Sequence, residues 1–184
     1  MKKIIKGILT FLLVSIGIIS SAQTTTNPDT VCLNATGQQY FVTNNASSTY
    51  QWTITGGGGA LQTGQGTNAI TASWGAISGL YPNAVSVVET NASNCAGTPV
   101  FLNVFILSLS GTAIGPFCVG NASVPLVGTP SGGTWSGTGV VANTFSSVTA
   151  GIGTHVLTYT RSGCTTTINV IVNAGPITGP IQHY

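Results

Sequence analysis

An all-β chain, built as two small β-sandwiches in tandem with an extended C-terminal tail, is the architecture this sequence predicts. Three observations carry it. Short runs rich in Val, Ile, Phe, Tyr and Thr recur along the chain and are punctuated by Gly, Pro and Asn, which is how strands separated by turns are written. The order Cys, Trp, Cys occurs twice, as Cys32, Trp52, Cys95 and then Cys118, Trp135, Cys164, the layout of a small sandwich packed around a tryptophan. Finally, 42% of residues are hydrophobic and only 3% charged, whereas disordered chains combine low hydrophobicity with high charge.

The first 22 residues stand apart. Lys2, Lys3 and Lys6 precede an apolar run over residues 8–19, and Ser20, Ser21 and Ala22 supply the small residues of a cleavage site. This is the pattern of a secretory signal peptide; the run is shorter than the ~20 residues a bilayer span needs. Removing it leaves 162 of the 184 residues, with Asp29, Glu89 and Arg161 as the charged side chains. One arginine against two carboxylates gives a formal charge of −1, with no lysine. Nucleic acid is therefore not an expected partner, since phosphate neutralisation needs clustered Lys and Arg. Attraction to anionic lipid fails for the same reason. Lysine-dependent isopeptide cross-links are equally out of reach.

Residues 23–30 (QTTTNPDT) read as a polar lead-in. Strands follow at residues 38–43 (QQYFVT) and 50–55 (YQWTIT), the second placing Tyr50, Trp52 and Ile54 on one face. Gly56, Gly57, Gly58 and Gly59 form a turn; a phosphate cradle would need a helix after them, and no helical period follows. Residues 68–74 (NAITASW) and 84–90 (AVSVVET) are strands around a Gly/Pro loop at 78–83. Residues 98–107 (TPVFLNVFIL) close the first sandwich, either covered on both sides or leading into the junction, and residues 108–115 join the two. Further strands fall at 123–127, with Pro125 at an edge or bulge, at 133–136 around Trp135, and at 144–145. Residues 153–160 place His155, Leu157 and Tyr159 on one face, and residues 165–172 form the last strand. In the tail, residues 175–184, two Gly-Pro pairs argue against a helix or central strand.

Four cysteines behind a signal peptide read as disulfides rather than metal ligands. They allow three connectivities. Sandwiches that fold separately would pair Cys32 with Cys95 and Cys118 with Cys164, with free buried thiols as the alternative. Catalysis is poorly provided for: the acids Asp29 and Glu89 lie far apart in the chain, and no G-x-S-x-G elbow surrounds a serine. No cofactor is expected, and no metal, for want of clustered ligands. Trp52 and Trp135 are expected in the cores. Trp74 and Tyr81 are the candidates for an exposed aromatic surface of the kind that contacts glycans. Ile177, Ile181 and Tyr184 are the candidate anchors of a tail that adds as a strand to a neighbour.

The stretches YQWTITGGG, GQGTNAITASW and VSVVETNASNCAG resemble the PKD-like domain of secreted Bacteroidota surface proteins. GGTWSGTGVVANTFSSVTAGIGTHVLTYTRSGC is similar to the Ig-like repeat of the same proteins. The resemblance implies a PKD-like sandwich over residues 23–108 and an Ig-like one over 109–174. It further implies a non-enzymatic, secreted or cell-surface structural or adhesive role: a filament or layer subunit or, alternatively, a carbohydrate-binding adhesin. Self-association, other surface proteins and glycans are the partners expected. The triplet Asp29-Thr30-Val31 also resembles an O-glycosylation pattern, implying modification at Thr30.

Overall fold

The computed structural model describes residues 27–183. The signal segment expected at 1–22 and the anchor expected at Tyr184 lie outside the described residues. The first half contains β1 (Asp29–Cys32), β2 (Gln38–Phe41), β3 (Thr49–Ile54), β4 (Ala60–Thr63), β5 (Ala69–Ser73), β6 (Gly79–Thr90) and β7 (Val100–Leu107). These make two sheets, ordered β1-β7-β6-β3 and β2-β5-β4, which close on a core including Tyr50, Trp52, Ile70, Trp74, Val104 and Ile106. The alternation in β3 does what its period requires: Tyr50 and Trp52 are buried while Gln51 and Thr53 are exposed.

The second half contains β8 (Ser110–Gly111), β9 (Phe117–Cys118), β10 (Val124–Pro125), β11 (Gly128–Thr129), β12 (Thr134–Ser136), β13 (Val140–Val141) and β14 (Thr144–Phe145). A single helical turn α1 (Ser147–Ala150) follows, then β15 (Gly153–Arg161) and β16 (Cys164–Asn173). Its sheets are β12-β15-β16-β9, β10-β14-β13 and β11-β8, around Trp135, Phe145, Leu157, Tyr159 and Val170. Pro125 stands on an edge strand, where its missing N–H costs no ladder bond.

The two halves repeat one sheet. In each, the first strand runs parallel to the last: β1 beside β7 and β9 beside β16. In each, the last two strands form a hairpin, and the tryptophan strand lies at the outside. Trp52 and Trp135 thus occupy equivalent places, and so do Cys32 and Cys118, at the ends of β1 and β9. Cys95, in the β6–β7 connection, corresponds to Cys164, which follows the β15–β16 turn. Both tryptophan edges are also closed by side-chain amides. The Trp52 N–H donates to Gln65 Oε1 at 2.8 Å and Gln65 Nε2 donates back to the Trp52 carbonyl at 2.9 Å. The Trp135 N–H donates to Asn143 Oδ1 at 2.7 Å.

At the joint, β7 ends on Leu107 and β8 begins at Ser110, with two residues between them. The buried ends of β7, Val104, Ile106 and Leu107, contrast with exposed Val100 and Phe101, so the apolar run leads into the junction rather than being covered along its length. A disulfide joins Cys32 to Cys164, with Cα atoms 5.4 Å apart. The pairing expected within each sandwich, Cys32 with Cys95 and Cys118 with Cys164, is therefore not the one formed; Cys95 and Cys118 are free and exposed. The cause is topological. Cys32 ends β1 beside Leu107, at the joint, whereas Cys95 lies beyond the opposite end of β7.

Other departures are local. The lead-in runs into β1, which begins at Asp29 and whose Val31 is a core residue. The expected loop at 78–83 is the start of β6, which absorbs Pro82 through a register shift between Tyr81 and Val85. The stretch 137–143, between two expected strands, contains β13, and β8 lies within the expected join.

Candidate functional site

Trp74 is not a surface residue: it is 3% exposed, because Ile70, Ala72 and Trp74 alternate toward the core. Its Nε1–H donates to Tyr40 Oη at 3.0 Å, and the two rings meet edge to face at 6.5 Å. Tyr40 Oη in turn donates to Asp29 Oδ2 at 3.0 Å. Burial pushes the Tyr40 phenol well above its ordinary pKa, and the Asp29 carboxylate adds to the shift. Trp74, Tyr40 and Asp29 form a hydrogen-bonded series leading from the core to β1. Tyr81 is half-buried, and its hydroxyl donates to the Ile77 carbonyl at 2.9 Å. Its ring covers the glycine turn: Gly57 has φ +58°, and a Cβ there would come within 2.7 Å of Ile106 Cδ1 and 3.0 Å of the Tyr81 ring. One face of Tyr81 is thus taken up by that turn.

An exposed aromatic exists elsewhere. Strand β2 turns Tyr40 inward and Phe41 outward, leaving Phe41 61% exposed. It borders a shallow groove on the outer side of the β2-β5-β4 sheet, with Gln39, Thr63, Asn68 and Thr71 also in its lining. Gln39 faces Thr71 across the ladder, and the Thr63 and Thr71 hydroxyls share a hydrogen bond of 2.8 Å. The signal for Phe41 is visible in QQYF: if Tyr40 points inward, its neighbour must point out.

Among the described residues beyond Asn173 there is no regular structure, and Ile177 and Ile181 are 98% and 101% exposed. Four residues apart, they fall on one face of an extended segment. Thr30 is exposed on β1, while its neighbour Asp29 is engaged by Tyr40. His155 Nε2 lies 2.9 Å from the Gly151 carbonyl, its ring near Phe145. The Glu89 carboxyl is held below its ordinary range by hydrogen bonds from Ser48 and Asn45. Among the described residues no group of three His, Cys, Asp or Glu stands together to hold a metal, and no helix is long and apolar enough to cross a membrane.

Comparison with known proteins bears chiefly on the first half. The family described as the PKD-like domain matches residues 19–104. No curated protein matches the chain. Among solved structures, fibronectin(III)-like modules of Clostridium thermocellum CbhA are similar at 12% identity, over 85% of this chain and 95% of that one, with a TM-score of 0.30. Titin Z1Z2 in complex with telethonin is similar at 13% identity over 81% and 93%, TM-score 0.28. Extracellular domains 3–5 of Drosophila OTK are similar at 15% over 83% and 67%, TM-score 0.25. At such TM-scores none of the three bears on function. The fold is nearly all-β, and a little under half of the chain is similar to the PKD-like domain family.

Proposed function

We propose that this chain is a non-enzymatic, extracellular structural or adhesive protein of two modules, residues 23–108 and 109–174, that assembles into a surface filament or layer through residues 175–184. The observation that supports this most is the pair Ile177 and Ile181, two fully exposed β-branched side chains on one face of an extended segment. Such anchors gain stability when the segment adds as a strand to a neighbouring sheet, main-chain hydrogen bonds supplying affinity and alternate side chains supplying fit. In the β1-β7-β6-β3 sheet the edges are β1 and β3. The β3 edge is closed at Tyr50 by Gly66 and at Trp52 by Gln65, so β1 is the acceptor edge in this proposal. Deleting residues 175–184 is expected to leave folded monomers by light scattering and circular dichroism; assembly that survives the deletion overturns the tail mechanism.

A second reading, glycan binding, is favoured by the Phe41 groove. An exposed ring suits the C–H face of a sugar, and Gln39, Thr63 and Asn68 offer hydrogen bonds to its hydroxyls. On a glycan array, binding lost in Phe41→Ala and kept in the tail deletion supports this reading; binding indifferent to Phe41→Ala removes it.

A further inference from the structure

We propose that copies of this chain are joined head to tail by a disulfide between Cys118 of one copy and Cys95 of the next, repeating between molecules the joint that Cys32 and Cys164 make within one. The proposal deepens the filament reading and rests on it, but it uses different atoms.

The repeated sheet carries the inference. Within the chain, the bonded pair is a cysteine at the end of the first strand of one module, Cys32 on β1, and a cysteine at the last hairpin of the following module, Cys164. The two cysteines left over are the other members of the same two sets. Cys118 ends the first strand of the second module's four-stranded sheet, beside the end of the last strand at Asn173, as Cys32 lies beside Leu107. Cys95 belongs to the last hairpin of the first module, where Asn91 N–H donates to the Cys95 carbonyl and Thr90 bridges Ala96. Cys118 thus has the place from which a following module would be bonded, and Cys95 the place at which a preceding one would arrive. Cys164 is buried at its joint and Cys95 is exposed at an uncovered pole.

An internal bond between them is ruled out by reach. Cys118 pairs with Asn173, at the far end of β16 from Cys164, about 30 Å from the joint at ~3.3 Å per residue. Cys95 lies beyond Val100, and β7 from Val100 to Leu107 alone spans about 23 Å. The modules lie end to end: their cores are separate, and no strand of one lies along a strand of the other among the described residues. Past the joint, the chain keeps moving away from Cys164, Gly111 packing on Ile168 and Phe117 pairing with Val172. The two thiols therefore stand at opposite poles, far outside the ~7 Å between Cα atoms that a disulfide tolerates. The tail follows Asn173, which pairs with Cys118, so it leaves from the Cys118 pole and both contacts lie at the same end of the molecule.

The bond requires a disulfide oxidant, small-molecule or protein, of the kind that made Cys32–Cys164. One thiol gives up its proton, attacks the oxidant and releases one sulfur as a thiol. The second deprotonated thiol then attacks the mixed disulfide and releases the other, so two protein thiols become one disulfide while the oxidant is reduced to two thiols.

The test is a non-reducing gel of the purified chain from Gln23 onward, equilibrated with oxidised and reduced glutathione. The wild type is expected to give a ladder of multimers that reductant collapses to monomer. Cys95→Ser and Cys118→Ser, both at exposed positions, are each expected to lose the ladder, and an equimolar mixture of the two to give a single dimer band. Single variants that dimerise alone as readily as the mixture overturn the head-to-tail pairing. A wild type that stays monomeric overturns the bond altogether, whether peptide mapping finds two free thiols or an internal Cys95–Cys118 link. In the Cys95→Ser/Cys118→Ser double variant, light scattering reports tail-driven assembly alone, so failure of the disulfide and failure of the tail are read separately.

Discussion

Tyr40 holds together the part of the first core that was hardest to place. Its hydroxyl accepts from Trp74 and donates to Asp29, so Tyr40→Phe leaves a buried indole N–H without its acceptor and is expected to cost about 1–3 kcal/mol. The pH dependence has a definite sign. A tyrosine whose folded pKa is raised stays protonated in the native state while the unfolded chain ionises near its ordinary value of about 10. The stability it contributes is whole below that pH and falls as pH rises above it. Denaturant midpoints are thus expected to decline above about pH 10, and less steeply in Tyr40→Phe; equal slopes in the two proteins refute the assignment. On the acid side, Glu89 is held below its ordinary range but stands at the surface, partly exposed, so its contribution, present at neutral pH and lost as pH falls through its lowered pKa, is small. The burial of Trp74 was legible in the alternation of NAITASW, where it shares a face with Ile70 and Ala72.

At the scale of the strand, what was legible depended on length. The runs that became β3, β5, β15 and β16 hold enough alternating residues to declare a face, and the faces agree with their burial. Strand β1 offers one inward apolar residue, Val31, and β8, β11 and β13 are two residues each. No period exists in so short a run, and these strands form because a longer partner is already in place. The closed edges were illegible for another reason, since Gln65 acts through its side chain as a strand would through its backbone. Gln65→Ala strips the Trp52 N–H and carbonyl of both partners. It is expected to cost about 1–2 kcal/mol and, by opening the β3 edge, to promote edge-to-edge association. Unchanged stability together with unchanged size at high concentration would show that water replaces the amide without loss.

For the molecule as a whole, the pairing of Cys32 with Cys164 could not be read from spacing, because it depends on which ends of two sheets meet. It closes a separation of 132 residues, for which chain entropy assigns about 5 kcal/mol if everything inside the loop unfolds together. Two separate cores inside that loop argue for a different partition. If the two cores mark two modules, each is held by its own burial, and the bond chiefly fixes the angle between them across Ser108 and Leu109. Replacing both cysteines, as Cys32→Ser/Cys164→Ser, is then expected to keep the far-ultraviolet circular dichroism of the native sheets. The small-angle scattering distance distribution should broaden, and one unfolding transition should separate into two. A single transition displaced by the full chain-entropy amount, with the scattering unchanged, would mean that the halves fold as one cooperative unit and that the disulfide is a stabiliser of the fold rather than a clamp on its shape.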